Sequence, residues 1–191
     1  IMVSDFSTGS GNRQTITANN CTITNNLNRG ANARGANALL NITNSTLSGN
    51  GSDPYGTGGN PGFGIQVSNG ASANVSNNYI TNPSTVASPY SVYALSFGNA
   101  PSGTVTATNN RFDNNGNANG YLVSNYSGVM NATCNWWGSG SECRLTPMIA
   151  GTGLVTYSPW LTSDSDLGGN VNDGYQPGGS CSNNVLTCLL Y

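Results

Sequence analysis

Apolar and polar residues alternate in a short pattern that occurs five times along the chain. The copies begin at Ile16, Leu40, Ala73, Val105 and Met130, and each copy is eight residues long. The first, third and eighth positions are apolar, and the fifth position is asparagine in the first four copies. Alternation of this kind is typical of β-strands, and a recurrence every 24 to 33 residues is typical of repeat proteins.

The pattern predicts a strand, a corner and a second strand in each repeat, and it leaves residues 24–39 as a return path between repeats. Asparagine suits the corner because its side chain tolerates the left-handed backbone conformation. If the repeats stack in parallel, equivalent apolar side chains form interior columns. The predicted columns are Ile16, Leu40, Ala73, Val105 and Met130; Ala18, Ile42, Val75, Ala107 and Ala132; and Ile23, Leu47, Ile80, Phe112 and Trp137. The corner residues Asn20, Asn44, Asn77 and Asn109 are expected to form a ladder in which each amide bonds to the next.

Two segments follow the last repeat closely, Asn135-Trp-Trp-Gly138 and Tyr157-Ser-Pro-Trp-Leu161. They look like the closing segment of bacterial extracellular β-helix proteins. Together with the repeats, they make roughly residues 12–163 resemble the right-handed parallel β-helix of pectate-lyase-like proteins and of many secreted bacterial repeat proteins. This resemblance implies an all-β fold, a parallel β-helix (solenoid) of about five to six rungs with a C-terminal cap and tail.

We expect the β-helix to span residues 1–163, with the cap at residues 138–163, and the tail to span residues 164–191. The tail should pack on its own subunit or on a neighbour because it ends in apolar residues. Four large side chains are expected to seal the last rung, as a hydrophobic plug rather than a sugar-stacking platform: Trp136, Trp137, Trp160 and Leu161. Apolar residues at the two ends of the chain are candidates for assembly with other copies: Ile1, Met2, Val3, Leu189, Leu190 and Tyr191.

Composition limits the classes of function. The chain of 191 residues has the length of one domain, and only 6% of its residues are charged. There is no histidine, and the net charge of −2 argues against a basic surface for nucleic acid. No apolar run is long enough to cross a membrane, so we expect no membrane insertion.

The five cysteines indicate an oxidising compartment, so we expect a secreted, extracellular or cell-surface protein. Two local disulfides are the natural pairing, Cys134 with Cys143 and Cys181 with Cys188, which leaves Cys21 alone. The connectivity does not follow from the sequence.

The acidic residues do not form a catalytic pattern. None of Asp5, Asp53, Asp113, Glu142, Asp164, Asp166 and Asp173 falls on a repeated strand position, and Asp53, Asp113 and Glu142 are assigned to loops or the cap. We therefore expect no catalytic residues and no cofactor. The segment that contains Asp164, Asp166 and Asp173 is similar to the aspartate-rich calcium repeats of secreted proteins, so these three are a calcium candidate; otherwise the segment is a polar linker.

The first functional hypothesis is a non-catalytic extracellular structural protein, a β-helix subunit that stacks head to tail on copies of itself into a filament or surface layer. The alternative is a cell-surface adhesin or glycan-binding module that uses the loops at 48–64 and 82–103, with Tyr55, Tyr90 and Tyr93 as aromatic contacts. Ice binding by outward threonines is a variant of that alternative. A polysaccharide-degrading enzyme is the third possibility.

Overall fold

The computed structural model describes residues 1–4, 12–51, 63–81, 93–97, 103–113, 121–138, 149–168 and 173–182. These residues are all-β, with three parallel sheets and one short antiparallel pair. In each parallel sheet the strands follow one another in chain order, so successive repeats add successive strands. This arrangement is compatible with a parallel β-helix.

The first sheet contains β1 (Met2–Ser4), β4 (Arg29–Arg34), β7 (Phe63–Ser68), β10 (Tyr93–Phe97), β13 (Tyr121–Asn125) and β15 (Ile149–Ala150). The second sheet contains β2 (Gln14–Asn19), β5 (Ala38–Thr43), β8 (Ser72–Ser76), β11 (Val105–Thr108), β14 (Val129–Asn131) and β16 (Leu154–Thr156). The third sheet contains β3 (Thr22–Thr24), β6 (Thr46–Ser48), β9 (Tyr79–Thr81) and β12 (Arg111–Asp113). The antiparallel pair is β17 (Trp160–Leu161) with β18 (Cys181–Ser182).

The strand register confirms the predicted pairing of equivalent residues. In the second sheet Ile16 pairs with Leu40, Leu40 with Ala73, Ala73 with Val105, and Val105 with Met130. The third sheet pairs Ile23 with Leu47, Leu47 with Ile80, and Ile80 with Phe112. These residues alternate with polar ones, so one face of each strand enters the core, where almost all of them are buried.

The corner asparagines adopt the predicted backbone conformation. Asn20, Asn44, Asn77 and Asn109 have φ angles between 49° and 58°, and Cys134 takes the same position in the last repeat with φ 57°. The predicted ladder between their side chains is wrong. Asn44 donates to Asn19, and Asn77 donates to Gln176, so neither bonds to the next corner asparagine.

A buried ladder exists one position later in the repeat. Asn78, Asn110 and Asn135 are fully buried. The Asn78 side-chain amide donates to Asn110 Oδ1 (2.9 Å), and the Asn110 amide donates to Asn135 Oδ1 (3.1 Å). Ser45 occupies the equivalent place in the second repeat, where its hydroxyl accepts a hydrogen bond from the Cys21 backbone amide at 3.0 Å. We call Ser45, Asn78, Asn110 and Asn135 the inner ladder.

Two local assignments need correction. The return path at residues 24–39 contains a strand, β4, whose Ala31 and Ala33 are buried. Asp113 was assigned to a loop, but it is the last residue of β12. The sequence does not indicate β4, because its small residues have low strand propensity. The strand is stabilised by its pairing with β7.

Candidate functional site

The predicted cap residues lie largely inside the protein. Trp137, Trp160 and Leu161 are buried, and Trp136 is half-buried. The Trp137 ring stacks on Phe112 with ring centroids 5.0 Å apart, so it extends the third apolar column. Three of the four side chains are therefore unavailable as a sugar-stacking surface.

One long-range disulfide joins the last corner to the tail. Cys134 bonds to Cys181, 47 residues away, with Cα atoms 5.2 Å apart. The predicted local pairings of Cys134 with Cys143 and of Cys181 with Cys188 are therefore wrong. Cys21 is free and half-buried. The disulfide is consistent with an extracellular location, because such bonds persist in oxidising compartments.

The described part of the tail, residues 164–168 and 173–182, packs against the corners of its own chain; we call it the tail clasp. The Tyr175 amide donates to Asn77 O (2.9 Å), and Tyr175 is fully buried. The Gln176 side chain donates to Asn44 Oδ1 (3.1 Å) and accepts from Asn77 Nδ2 (3.3 Å). The side chains of Asn44 and Asn77 thus bind the tail clasp rather than each other.

Gly174 sets how closely the tail clasp approaches the corners. Its φ is +76°, and a Cβ atom built on it would lie 2.3 Å from Asn77 O and 2.4 Å from Asn44 Cα. These atoms belong to the backbone and cannot move aside easily. Only glycine allows the tail clasp to lie at this distance.

Ionisable groups meet where the tail clasp crosses the third sheet. Asp166 accepts hydrogen bonds from the Tyr79 hydroxyl and from the backbone amides of Gly168 (3.0 Å) and Gln176 (2.9 Å). Arg111 lies 5.6 Å from the centroid of the Tyr79 ring and 3.6 Å from Asp164. The Arg111–Asp164 pair is exposed, so it adds little stability.

The two tyrosines of this region, Tyr79 and Tyr175, have raised pKa values and are therefore neutral at pH 7. Burial, followed by the hydrogen bond to Asp166 and its charge, raises the pKa of Tyr79 to about 12. Burial also raises the pKa of Tyr175 to about 12. Neither tyrosine is therefore suited to accept a proton near neutral pH. Their rings meet edge to face with centroids 5.6 Å apart, so they act in packing the tail.

The three aspartates of the calcium candidate are not brought into one cluster. Asp164 and Asp166 hold the tail clasp through Arg111, Tyr79 and backbone amides. The Asp173 carboxylate lies beside Gly168, where an added Cβ atom would come within 3.0 Å of both of its oxygens, and Asp173 also lines a pocket. Among the described residues, no group of three or more histidines, cysteines, aspartates or glutamates could hold a metal ion.

That pocket lies between the tail clasp and the corners of the first two repeats. Its volume is about 350 Å³, and only polar residues line it: Asn19, Asn20, Asn44, Asp173 and Gln176. Sequence reasoning missed this pocket because it needs the tail folded back over the first corners.

Several predicted positions lie outside the described residues. These are most of the loops at 48–64 and 82–103, and the residues Asp5, Asp53, Tyr55, Tyr90, Glu142, Cys143, Cys188, Leu189, Leu190 and Tyr191. Tyr93 begins β10. Ile1, which precedes the edge strand β1, is 47% exposed, and Met2, the first residue of β1, is 56% exposed. Val3 also lies in β1.

Comparison of the chain with protein-family models, with curated proteins and with solved structures finds no match. In the part of the chain that the structure describes, no helix has the length and hydrophobicity of a membrane span.

Proposed function

We propose that the chain is a right-handed parallel β-helix that serves as a non-catalytic extracellular structural subunit and stacks on copies of itself. The observation that carries the proposal is the set of edge strands at one end of the molecule. β1, β2 and β3 are the edges of the three parallel sheets, and each has a partner on one side only within the described residues. Such edges are templates for pairing with another chain.

The composition of these edges favours pairing. Met2–Ser4, Gln14–Asn19 and Thr22–Thr24 contain no charged residue. Natural sheets normally discourage edge pairing with lysine, proline or a bulge, and the chain contains no lysine at all. At the opposite end, β15 and β16 are likewise edges with a partner on one side only within the described residues, whereas Pro159 and Leu161 bond to Cys134 and Asn135 and cover the last corner. Head-to-tail stacking would therefore pair the β1 and β2 edges of one copy with the β15 and β16 edges of the next. This contact joins two different surfaces, so it produces filaments rather than closed pairs.

A proline in β2 tests whether its outer edge pairs. The amides of Gln14 and Asn20 donate to Asn37 and Thr43 of the neighbouring segment. Because the direction of backbone amides alternates along a strand, the Thr17 amide points away from β5, toward the open edge. Thr17→Pro therefore removes an outward donor without removing a bond to β5. Thr17→Val is the matched control, since it loses the hydroxyl but retains the amide.

Negative-stain electron microscopy and light scattering give the readout. We expect filaments from the wild type and from Thr17→Val, with an axial repeat of roughly 30 Å from six strands at about 4.8 Å each. Thr17→Pro should remain monomeric with an unchanged circular dichroism spectrum. Dispersed wild-type monomers over the whole concentration range would refute stacking. Filaments that Thr17→Pro leaves intact would refute a role for this edge.

A further inference from the structure

We propose that Asn69 is a site of spontaneous deamidation, at which the backbone nitrogen of Gly70 displaces ammonia from the asparagine side chain. The chain contains Asn-Gly pairs at 50–51, 69–70, 115–116 and 119–120, and the structure describes the first two. Glycine after asparagine favours this reaction, because it has no side chain to hinder the approach of its nitrogen. The two described pairs differ in how firmly the fold holds the reacting groups.

Water is the only co-reactant. The Gly70 nitrogen loses its proton to solvent and attacks the side-chain carbonyl carbon of Asn69, Cγ. A new C–N bond closes a succinimide ring as the bond from Cγ to Nδ2 breaks, and the Nδ2 group takes up a proton and leaves as ammonia. Water then opens the ring at either carbonyl carbon and gives aspartate or isoaspartate. Nothing is oxidised or reduced, and the net change is the replacement of a neutral amide by a carboxylate.

Asn69 lies at an exposed turn between β7 and β8. Asn69 and Gly70 have φ angles of 55° and 83°, and a backbone hydrogen bond from Ala71 N to Ser68 O (3.2 Å) closes the turn. The Asn69 side chain is exposed, and within the described residues neither it nor the Gly70 amide makes a hydrogen bond. The Gly70 nitrogen can reach Asn69 Cγ once the backbone at Asn69 rotates, which breaks the bond that closes the turn.

Asn50 is held at both of its reacting groups. It is 1% exposed, and its Oδ1 accepts hydrogen bonds from the Asn26 backbone amide (3.1 Å) and side-chain amide (2.7 Å). Its Nδ2 donates to Ile23 O (2.7 Å), and the Gly51 nitrogen, which would be the nucleophile, donates to Asn26 O (2.8 Å). These four bonds must break before Asn50 reacts, whereas Asn69 has to lose one, so Asn50 should convert roughly a hundredfold more slowly.

The surroundings of Asn69 favour an added negative charge. Arg34 of β4 pairs in register with Ser68, directly before Asn69. Arg34 is exposed and makes no ion pair within the described residues, and β4, β7 and β8 contain no acidic residue. A carboxylate formed at position 69 would therefore lie beside a cation of the neighbouring strand rather than beside another anion.

Peptide mapping by mass spectrometry tests the site. Chymotryptic cleavage after Tyr55 and Phe63 separates the peptide that contains Asn50 from the one that contains Asn69. The folded chain is incubated in warm, mildly alkaline buffer, in which the amide nitrogen loses its proton more readily. The gain in mass from NH₂ to OH is then followed in each peptide. We expect Asn69 to convert and Asn50 to convert roughly a hundredfold more slowly.

Incubation of the chain in urea is the internal control. Without the fold, both asparagines precede glycine in a flexible chain, so they should convert at similar rates. Asn69→Gly is the matched variant, because it removes the side-chain amide while glycine accommodates a φ of 55°. It should abolish the mass gain of that peptide, which contains other asparagines.

Three results would overturn the proposal. The first is conversion of Asn69 in the folded chain at a rate equal to or below that of Asn50. The second is conversion of Asn69 in urea only, and the third is a mass gain that persists in Asn69→Gly. The masses are read after digestion, so monomers and filaments give the same readout, and this proposal and self-assembly fail separately.

Discussion

Replacing Asn110 with alanine should destabilise the protein more than any surface substitution, because Asn110 is the centre of the inner ladder. Its amide donates to Val75 O (2.9 Å) and to Asn135 Oδ1 (3.1 Å). Its Oδ1 accepts from the Asn78 backbone amide (3.1 Å) and from the Asn78 side-chain amide (2.9 Å). All four bonds are lost in Asn110→Ala.

The magnitude follows from these four bonds. A buried hydrogen bond contributes about 1 kcal/mol net, which gives a loss of about 4 kcal/mol. The cost of leaving buried donors without a partner gives a similar value. Two Asn78 donors lose their acceptor in a buried environment, and each costs about 1–3 kcal/mol. In a chain of 191 residues, about 4 kcal/mol corresponds to a fall in Tm of roughly 8–16 °C.

Urea unfolding followed by circular dichroism measures this difference as a shift in midpoint at constant slope. The matched control is Asn74→Ala, because Asn74 is an exposed asparagine in a neighbouring strand whose side-chain amide donates to Asn41 Oδ1 at 2.9 Å. It should change the free energy of unfolding by less than about 0.5 kcal/mol. The loss of unfolding free energy in Asn110→Ser should lie between those of Asn110→Ala and Asn74→Ala, because the Ser45 hydroxyl accepts a hydrogen bond from a backbone amide at the equivalent position. A loss below about 1 kcal/mol in Asn110→Ala, or one equal to that of Asn74→Ala, would refute the reasoning.

Three further predictions concern the tail clasp. Removing the disulfide with Cys134→Asn and Cys181→Ser together, which keeps a corner-tolerant residue at 134, should cost about 2–4 kcal/mol in urea unfolding; an unchanged midpoint would contradict this. Because the pKa of Tyr79 is raised to about 12, its contribution to stability is fully present below pH 10 and is lost as the pH rises through 12. Ultraviolet titration of phenolate should therefore show a component near pH 12 that weakens in Tyr79→Phe, and an identical titration would contradict the assignment. Gly174→Ala should detach the tail clasp and speed its proteolysis without altering the strand content, whereas unchanged proteolysis would mean that the tail tolerates a Cβ atom there.

Much of the strand pairing could be predicted because it depends on local chemistry. Equivalent residues of successive repeats, such as Leu40 and Ala73, face the same interior. Pairing them forms the backbone hydrogen bonds of the sheet and buries the apolar side chains at the same time. The corner was predictable for a similar reason, since few side chains tolerate a φ near 57°. A strand such as β4, with Gly30, Ala31 and Ala33, is not visible because its residues have little strand propensity of their own.

The sequence contains enough information to place the inner ladder, but the prediction placed the ladder at the fifth residue of each repeat instead of the sixth. The eighth residue of each repeat points inward, so alternation along the strand makes the sixth residue point inward as well. That position contains Cys21, Ser45, Asn78, Asn110 and Asn135. The fifth residue provides the backbone turn and points its amide outward, where Asn44 and Asn77 meet the tail.

The sequence by itself determined the repeat, the register of equivalent residues and the residues at each corner, because strand alternation and backbone sterics act over a few residues. Only the tertiary structure decided that Cys134 pairs with Cys181, that Gln176 bonds to Asn44, and that a polar pocket forms beside Asp173. These contacts join residues 47 and 132 positions apart. No local pattern encodes them, because they depend on where the tail lies after the repeats have folded.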